Sequence, residues 1–125
     1  MPRNVLVVDD SMLMRRMIAG SLADAGWNVV GEAADGDEAV QRYAETRPDV
    51  VTMDIVMPGT GGIEALARIL DFDPDAKVVV VSALNQTRLI SEAIRKGAQD
   101  FLGKPFLPEQ LQETVQRAAG EMVGA

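Results

Sequence analysis

Five polar side chains stand at the carboxyl ends of four short, largely apolar runs. Asp9 and Asp10 follow Val5–Val8, Asp54 follows Val50–Met53, Ser82 follows Val78–Val81, and Lys104 follows Asp100–Gly103. Three carboxylates, a hydroxyl and an ammonium make a set with a definite chemical capacity. Two carboxylates about 5 Å apart repel by roughly 3 kcal/mol at an effective dielectric near 20, so three gather only with compensation. Lys104 supplies one positive charge. A divalent cation would supply two more, and all-oxygen ligands suit Mg²⁺, which takes one or two carboxylates with phosphate oxygens and water. A carboxylate is also a nucleophile toward phosphorus, giving an aspartyl phosphate. Mg²⁺, Ser82 and Lys104 would then neutralise and orient the oxygens of the transferring group. Taken singly, each residue has a plainer reading. Asp or Ser after a strand commonly caps a helix, and Lys104-Pro105 alone reads as a solvated turn. Their coincidence at neighbouring strand ends is what capping does not explain.

Those ends become neighbours only if the intervening chain forms strands and helices in alternation. Val5–Val8, Val50–Met53 and Val78–Val81 are four-residue runs rich in β-branched side chains, the pattern of strands buried on both faces. Weaker strands are predicted at Asn28–Ala33 and Asp100–Gly103. Between them lie helical stripes: Met14, Met17, Ile18 and Leu22; Ala39, Val40, Tyr43 and Ala44; Ile63, Leu66, Ala67 and Leu70; Leu89, Ile90, Ala93 and Ile94; Leu107, Leu111, Val115 and Met122. Gly26 and Gly97 are placed to stop helices, Pro48 lies just before a strand, and Ser11 and Asp35 are placed to start helices. Five β-α repeats imply a parallel sheet covered on both faces. The expectation is a single doubly wound α/β domain over residues 1–125. In such sheets ligands bind outside the carboxyl ends of the strands.

Composition narrows the classes. The chain has 125 residues, 47% hydrophobic and 25% charged, within the ordinary globular range. Its net charge of −7 disfavours nucleic acid as a direct partner. With no Cys there are no disulfides or thiolate ligands, and with no His there is no Ser-His-Asp triad, imidazole metal site or phosphohistidine. No apolar run approaches the roughly 18 residues of a membrane span, and Val5–Val8 is too short for a secretory signal. A cytoplasmic location is expected. Gly59-Thr60-Gly61-Gly62 breaks the dinucleotide pattern because position 64 is Glu. Trp27 and Tyr43 make no stacking platform for nucleic acid.

The segments Val5-Leu6-Val7-Val8-Asp9-Asp10-Ser11, Met53-Asp54-Ile55-Val56-Met57-Pro58, Val81-Ser82-Ala83 and Lys104-Pro105-Phe106 resemble the receiver domains of bacterial two-component response regulators. The resemblance is nearest to the stand-alone, CheY-like chemotaxis type and covers roughly residues 3 to 119. It implies a flavodoxin-like (βα)5 fold with strand order 2-1-3-4-5 and phosphorylation on Asp54 by a partner histidine kinase. It implies Mg²⁺ held by Asp10, Asp54 and the Val56 carbonyl, with Asp9 acting through water. Ser82 and Lys104 would contact the phosphoryl group, Phe101 would be an aromatic switch, and Lys104-Pro105 would be cis. One segment departs from the pattern: Gly59-Thr60-Gly61-Gly62 stands where the family often has x-Met-Asp-Gly. Three glycines there predict a more mobile loop.

Two other classes share parts of this set. Phosphatases of the haloacid dehalogenase type also use Asp, Ser or Thr, Lys and Mg²⁺, but need a second Asp two residues after the nucleophile. Ser11, Met12 and Val56 occupy those positions. A flavodoxin-like cofactor site needs a neutral loop after the first strand, and Asp9-Asp10 would repel the FMN phosphate. The sequence shows no attached output domain, so output is expected through a target protein, in chemotaxis or in another phosphorelay. The contact is expected at the face of the fourth helix, fifth strand and fifth helix, with Arg88, Glu92, Arg95 and Lys96 facing the partner. Val56 and Leu84, two residues beyond Asp54 and Ser82, should flank the path of an attacking water. Neither can align one, so a slowly decaying phosphoryl group is expected, ended by a phosphatase or by return to a kinase.

Overall fold

The computed structural model describes residues 3–83 and 85–121. Leu84 and Met122 lie outside them. Ten elements alternate along the chain: β1 (Asn4–Val8), α1 (Met12–Asp24), β2 (Asn28–Ala33), α2 (Gly36–Thr46), β3 (Val50–Asp54), α3 (Gly62–Phe72), β4 (Val78–Ala83), α4 (Thr87–Arg95), β5 (Asp100–Lys104) and α5 (Pro108–Ala118). All four strand pairings are parallel, in the order β2-β1-β3-β4-β5. The expected flavodoxin-like topology is the observed one. The chain reverses its direction of travel across the sheet between β1 and β3, which is where a doubly wound sheet opens a crevice.

The three central strands, β1, β3 and β4, split their apolar side chains between two cores. Leu6, Val8, Val51, Met53, Val78 and Val80 pack with α2, α3 and α4. Val5, Val7, Val50, Val79 and Val81 pack with α1 and α5. Burial on both faces is why these strands read as continuous apolar runs instead of alternating ones. Ser11 accepts a hydrogen bond from the Met14 amide and Asp35 one from the Glu38 amide, so both predicted caps act as such. Gly26 and Gly97 have φ of +91° and +112°.

Several helix faces are rotated from their predicted setting. On α3 the buried residues are Gly62, Ala65, Leu66 and Ile69, with Ile63 and Leu70 only packed against that core. Met17, Ala44, Ile94 and Leu107, each assigned to a buried stripe, are exposed. The sheet covers only part of each stripe, Ile18 and Leu22 on α1 and Ala93 on α4, so a four-residue stripe overstates what is buried. Leu107 is instead the N-cap residue of α5, and Gln110 accepts from its amide.

Candidate functional site

Asp9 and Asp10 follow β1 directly, whereas Asp54 and Lys104 are the last residues of their strands and Ser82 the last but one. The ladders run one or two residues further than the apolar runs. Asp54 lies opposite Val81, Ser82 opposite Gly103 and Ala83 opposite Lys104. Strand pairing therefore fixes the backbone of these polar residues.

The three carboxylates converge, with one oxygen from each of Asp9, Asp10 and Asp54 all within 4.8 Å of one another. Asp9 is sealed. Its residue is 1% exposed, one carboxylate oxygen accepts from the Ser11 amide at 2.9 Å, and the other accepts from Lys104 Nζ at 3.1 Å. Its backbone is held as well, its amide donating to the Ala33 carbonyl and its carbonyl accepting from Arg15 Nη1 at 2.7 Å. Asp54 is 8% exposed, accepts from the Val56 amide at 3.2 Å and pairs with Lys104 Nζ at 3.3 Å. Asp10 is the exposed member.

Charge and burial oppose each other here. Burial raises the Asp54 carboxyl above its ordinary range, the Lys104 ammonium works to lower it, and the Asp9 charge raises it further. The net direction is upward. Burial disfavours the Lys104 ammonium too, but the Asp54 and Asp9 carboxylates outweigh that and hold its pKa above the ordinary lysine range. One cation shared by three carboxylates leaves the cluster two charges short of neutrality. All-oxygen donors in deficit of positive charge fit a hard divalent ion such as Mg²⁺.

Ser82 is 2% exposed, on the strand next to Asp54, and its hydroxyl makes, among the described residues, a long contact of 3.4 Å with the Ala83 carbonyl. Phe101 stands three residues before Lys104 on β5 and is 43% exposed. It borders a groove of about 580 Å³ with Thr87, Ile90, Ser91, Ile94 and Arg95. Of Arg88, Glu92, Arg95 and Lys96, expected to face a partner, Arg95 lines this groove beside Ile90 and Ile94. The Lys104–Pro105 peptide is cis.

The glycine-rich loop after β3 is tied down, contrary to the mobility expected of it. The Gly62 amide donates to the Ile55 carbonyl and the Gly36 amide to the Thr60 carbonyl, both at 2.9 Å. A Cβ on Gly62 would lie 2.3 Å from the Asp54 carbonyl oxygen, so close approach, not freedom, explains that glycine. Gly36 and Thr60 escape a linear reading, because their contact joins segments far apart in the chain, and the Arg15 bond to the Asp9 carbonyl is announced by no spacing.

The family model for the response regulator receiver domain matches residues 5–116. The chain belongs to the response regulator receiver family. Within it, the chain is similar to two chemotaxis CheY proteins. That of Thermotoga maritima is 45% identical over 119 residues, covering 95% of this chain and 99% of the relative. That of Listeria monocytogenes is 48% identical over 115 residues, covering 92% and 97%. Among solved structures, the CheX-CheY-BeF3-Mg²⁺ complex from Borrelia burgdorferi contains a chain matching with a TM-score of 0.88 at 37% identity, over 94% of this chain and 89% of that one. The chain is thus a signalling receiver of the CheY kind and not a classical enzyme, which sets aside the phosphatase and flavin readings. No helix among the described residues is long and apolar enough to cross a membrane.

Proposed function

We propose that this chain is a cytoplasmic chemotaxis response regulator, acting as a single domain over residues 1–125. In this reading it takes a phosphoryl group on Asp54 from a partner histidine kinase and signals by binding a target protein. The observation that carries it is the division of labour among the three carboxylates. Asp9 has both oxygens engaged and is closed to solvent. Asp10 is exposed, and Asp54 alone combines a fixed backbone, a paired Lys104 and a remaining opening. An Asp54 oxygen attacks phosphorus, the P–N bond to the donor imidazole breaks as the P–O bond forms, and the imidazole leaves as its nitrogen takes a proton. Lys104 is within reach of the phosphoryl oxygens once they arrive on Asp54, and among the described residues the Ser82 hydroxyl has only a 3.4 Å contact to give up before joining them.

Asp10, Asp54 and the Val56 carbonyl would hold Mg²⁺, with Asp9 acting through water. The ion would supply the missing positive charge for the carboxylates and the phosphoryl oxygens. Phosphorylation adds charge beside Ser82. Movement of Ser82 toward it frees space for Phe101 to turn inward and reshapes the α4-β5-α5 face, a shift between two populations. CheX, which is in complex with CheY in the Borrelia structure, is an example of the kind of protein partner such a receiver would bind.

Intact-mass measurement after incubation with acetyl phosphate and Mg²⁺ tests the assignment. One phosphoryl group is expected on wild type, none on Asp54→Asn, and Asp10→Ala should lose the Mg²⁺-induced rise in melting temperature. Phosphoryl uptake by Asp54→Asn equal to wild type, or an unchanged Mg²⁺ response in Asp10→Ala, refutes it.

A further inference from the structure

The turn between β2 and α2 touches both halves of the acidic site without contributing a carboxylate to it. At its near end the Ala33 carbonyl accepts from the Asp9 amide at 3.0 Å. At its far end the Gly36 amide donates to the Thr60 carbonyl, at the tip of the loop that carries Val56 away from Asp54. Next along α2, Asp37 accepts from the Thr60 hydroxyl at 3.0 Å and from Arg68 Nη1 of α3 at 2.6 Å. The Arg68 guanidinium and the Thr60 hydroxyl hold the Asp37 carboxyl below its usual range.

The loop is therefore clamped at two places. Gly62 lies under the Asp54 carbonyl at its base, and Gly36 with Asp37 grips Thr60 at its tip. The fit at the tip is close. A Cβ on Gly36 would come within 2.5 Å of the Thr60 carbonyl oxygen and 2.6 Å of its Cγ2. An isolated surface ion pair would add little to stability, since Asp37 and Arg68 side chains are 69% and 45% exposed. Its value here lies in where Thr60 is held.

We propose that Asp37, acting through Thr60 and braced by Arg68, is a positioning residue for metal binding, setting the loop that presents the Val56 carbonyl beside Asp54. This rests on the reading of Asp54 and its neighbours as a Mg²⁺ and phosphoacceptor site. The juxtaposition of the β2–α2 turn with both the Asp9 backbone and the Thr60 loop makes that turn a spacer between the two halves of the site. Partners that support a metal ligand from outside typically contribute about 10-fold or more in metal affinity.

The test is Mg²⁺ titration followed by backbone amide shifts, including that of Val56, on wild type, Asp37→Ala, Thr60→Val, Thr60→Ser and Gly36→Ala. Asp37→Ala and Thr60→Val should weaken Mg²⁺ affinity about 10-fold and move the Val56 amide in the metal-free protein. Their melting temperatures should stay within about 4 °C of wild type, as for loss of a surface contact. Thr60→Ser keeps the hydroxyl and should restore affinity, while Gly36→Ala should displace the loop and weaken binding at least as much. Wild-type affinity in both Asp37→Ala and Thr60→Val, with an unmoved Val56 amide, overturns the positioning role alone. A wild type whose site amides do not respond to Mg²⁺ overturns the underlying site reading as well.

Discussion

Replacing Lys104 by Met keeps most of the side chain, ending it one atom short, and removes the cation that, among the described residues, bridges Asp9 and Asp54. In the metal-free protein this leaves three carboxylates with oxygens inside 4.8 Å and no positive charge between them. Lys104 Nζ sits 3.1 Å from Asp9 and 3.3 Å from Asp54, and at such distances each unit pair is worth about 5 kcal/mol at an effective dielectric near 20. Burying the ammonium offsets much of that sum. Breaking a buried pair by deleting one partner costs about 3–5 kcal/mol, and solvent reaches Lys104, whose side chain is 23% exposed. We therefore expect a loss near the lower end, about 3 kcal/mol, in urea unfolding with EDTA present. Magnesium should then do more for Lys104→Met than for wild type, because it replaces the missing charge without having to draw Asp9 and Asp54 away from an existing partner. Saturation at about 100 times Kd is worth about 2.7 kcal/mol, enough to return most of the deficit. Lys104→Arg, which keeps the charge, should show a wild-type Mg²⁺ increment. A Lys104→Met increment equal to or below that of wild type would refute the charge-compensation argument.

Asp54 offers the complementary test by pH. Its folded-state pKa lies above the unfolded one, so ionisation opposes folding, and its contribution declines as pH rises from about 4 through the raised value. Asp54→Asn should thus be more stable than wild type at pH 7 in EDTA, with the difference closing toward pH 4; equal midpoints at both pH values would contradict this. Val56 is 53% exposed beside Asp54 and cannot align a water, so Val56→Asn should hasten loss of the phosphoryl group by up to about tenfold. Phosphoprotein decay in Mg²⁺ buffer measures it, for Leu84→Gln in parallel, and wild-type rates in both would remove water exclusion as the cause. Gly61 caps α3 without a side-chain hydrogen bond, at φ −77° and ψ 173°, and a Cβ there meets nothing closer than the Ile55 carbonyl at 3.5 Å. Gly61→Ser should raise stability by a few tenths of a kcal/mol, read as a higher urea midpoint.

The strands, and the carboxylates that meet at their ends, were readable from residue types alone. Val5–Val8, Val50–Met53 and Val78–Val81 are buried on both faces, and double-sided burial leaves an apolar run that needs no partner to be recognised. Asp9, Asp10, Asp54, Ser82 and Lys104 were legible because each ends such a run and because like charges seldom gather without a purpose. Helix faces were less legible. Met17, Ile94 and Leu107 fit a helical period yet face solvent, since the period fixes a stripe but not which part of it the sheet will cover. Only the tertiary structure decided how the site is braced. Arg15 reaches the Asp9 carbonyl, Gly36 reaches the Thr60 carbonyl, and Asp37 joins Thr60 to Arg68. Gly59-Thr60-Gly61-Gly62 reads locally as a loose loop, because three glycines in four residues carry no sign of what will press against them. In the fold Gly62 admits the Asp54 carbonyl and Gly36 of α2 admits Thr60, and an approach of that kind leaves its mark in distances, not in residue types.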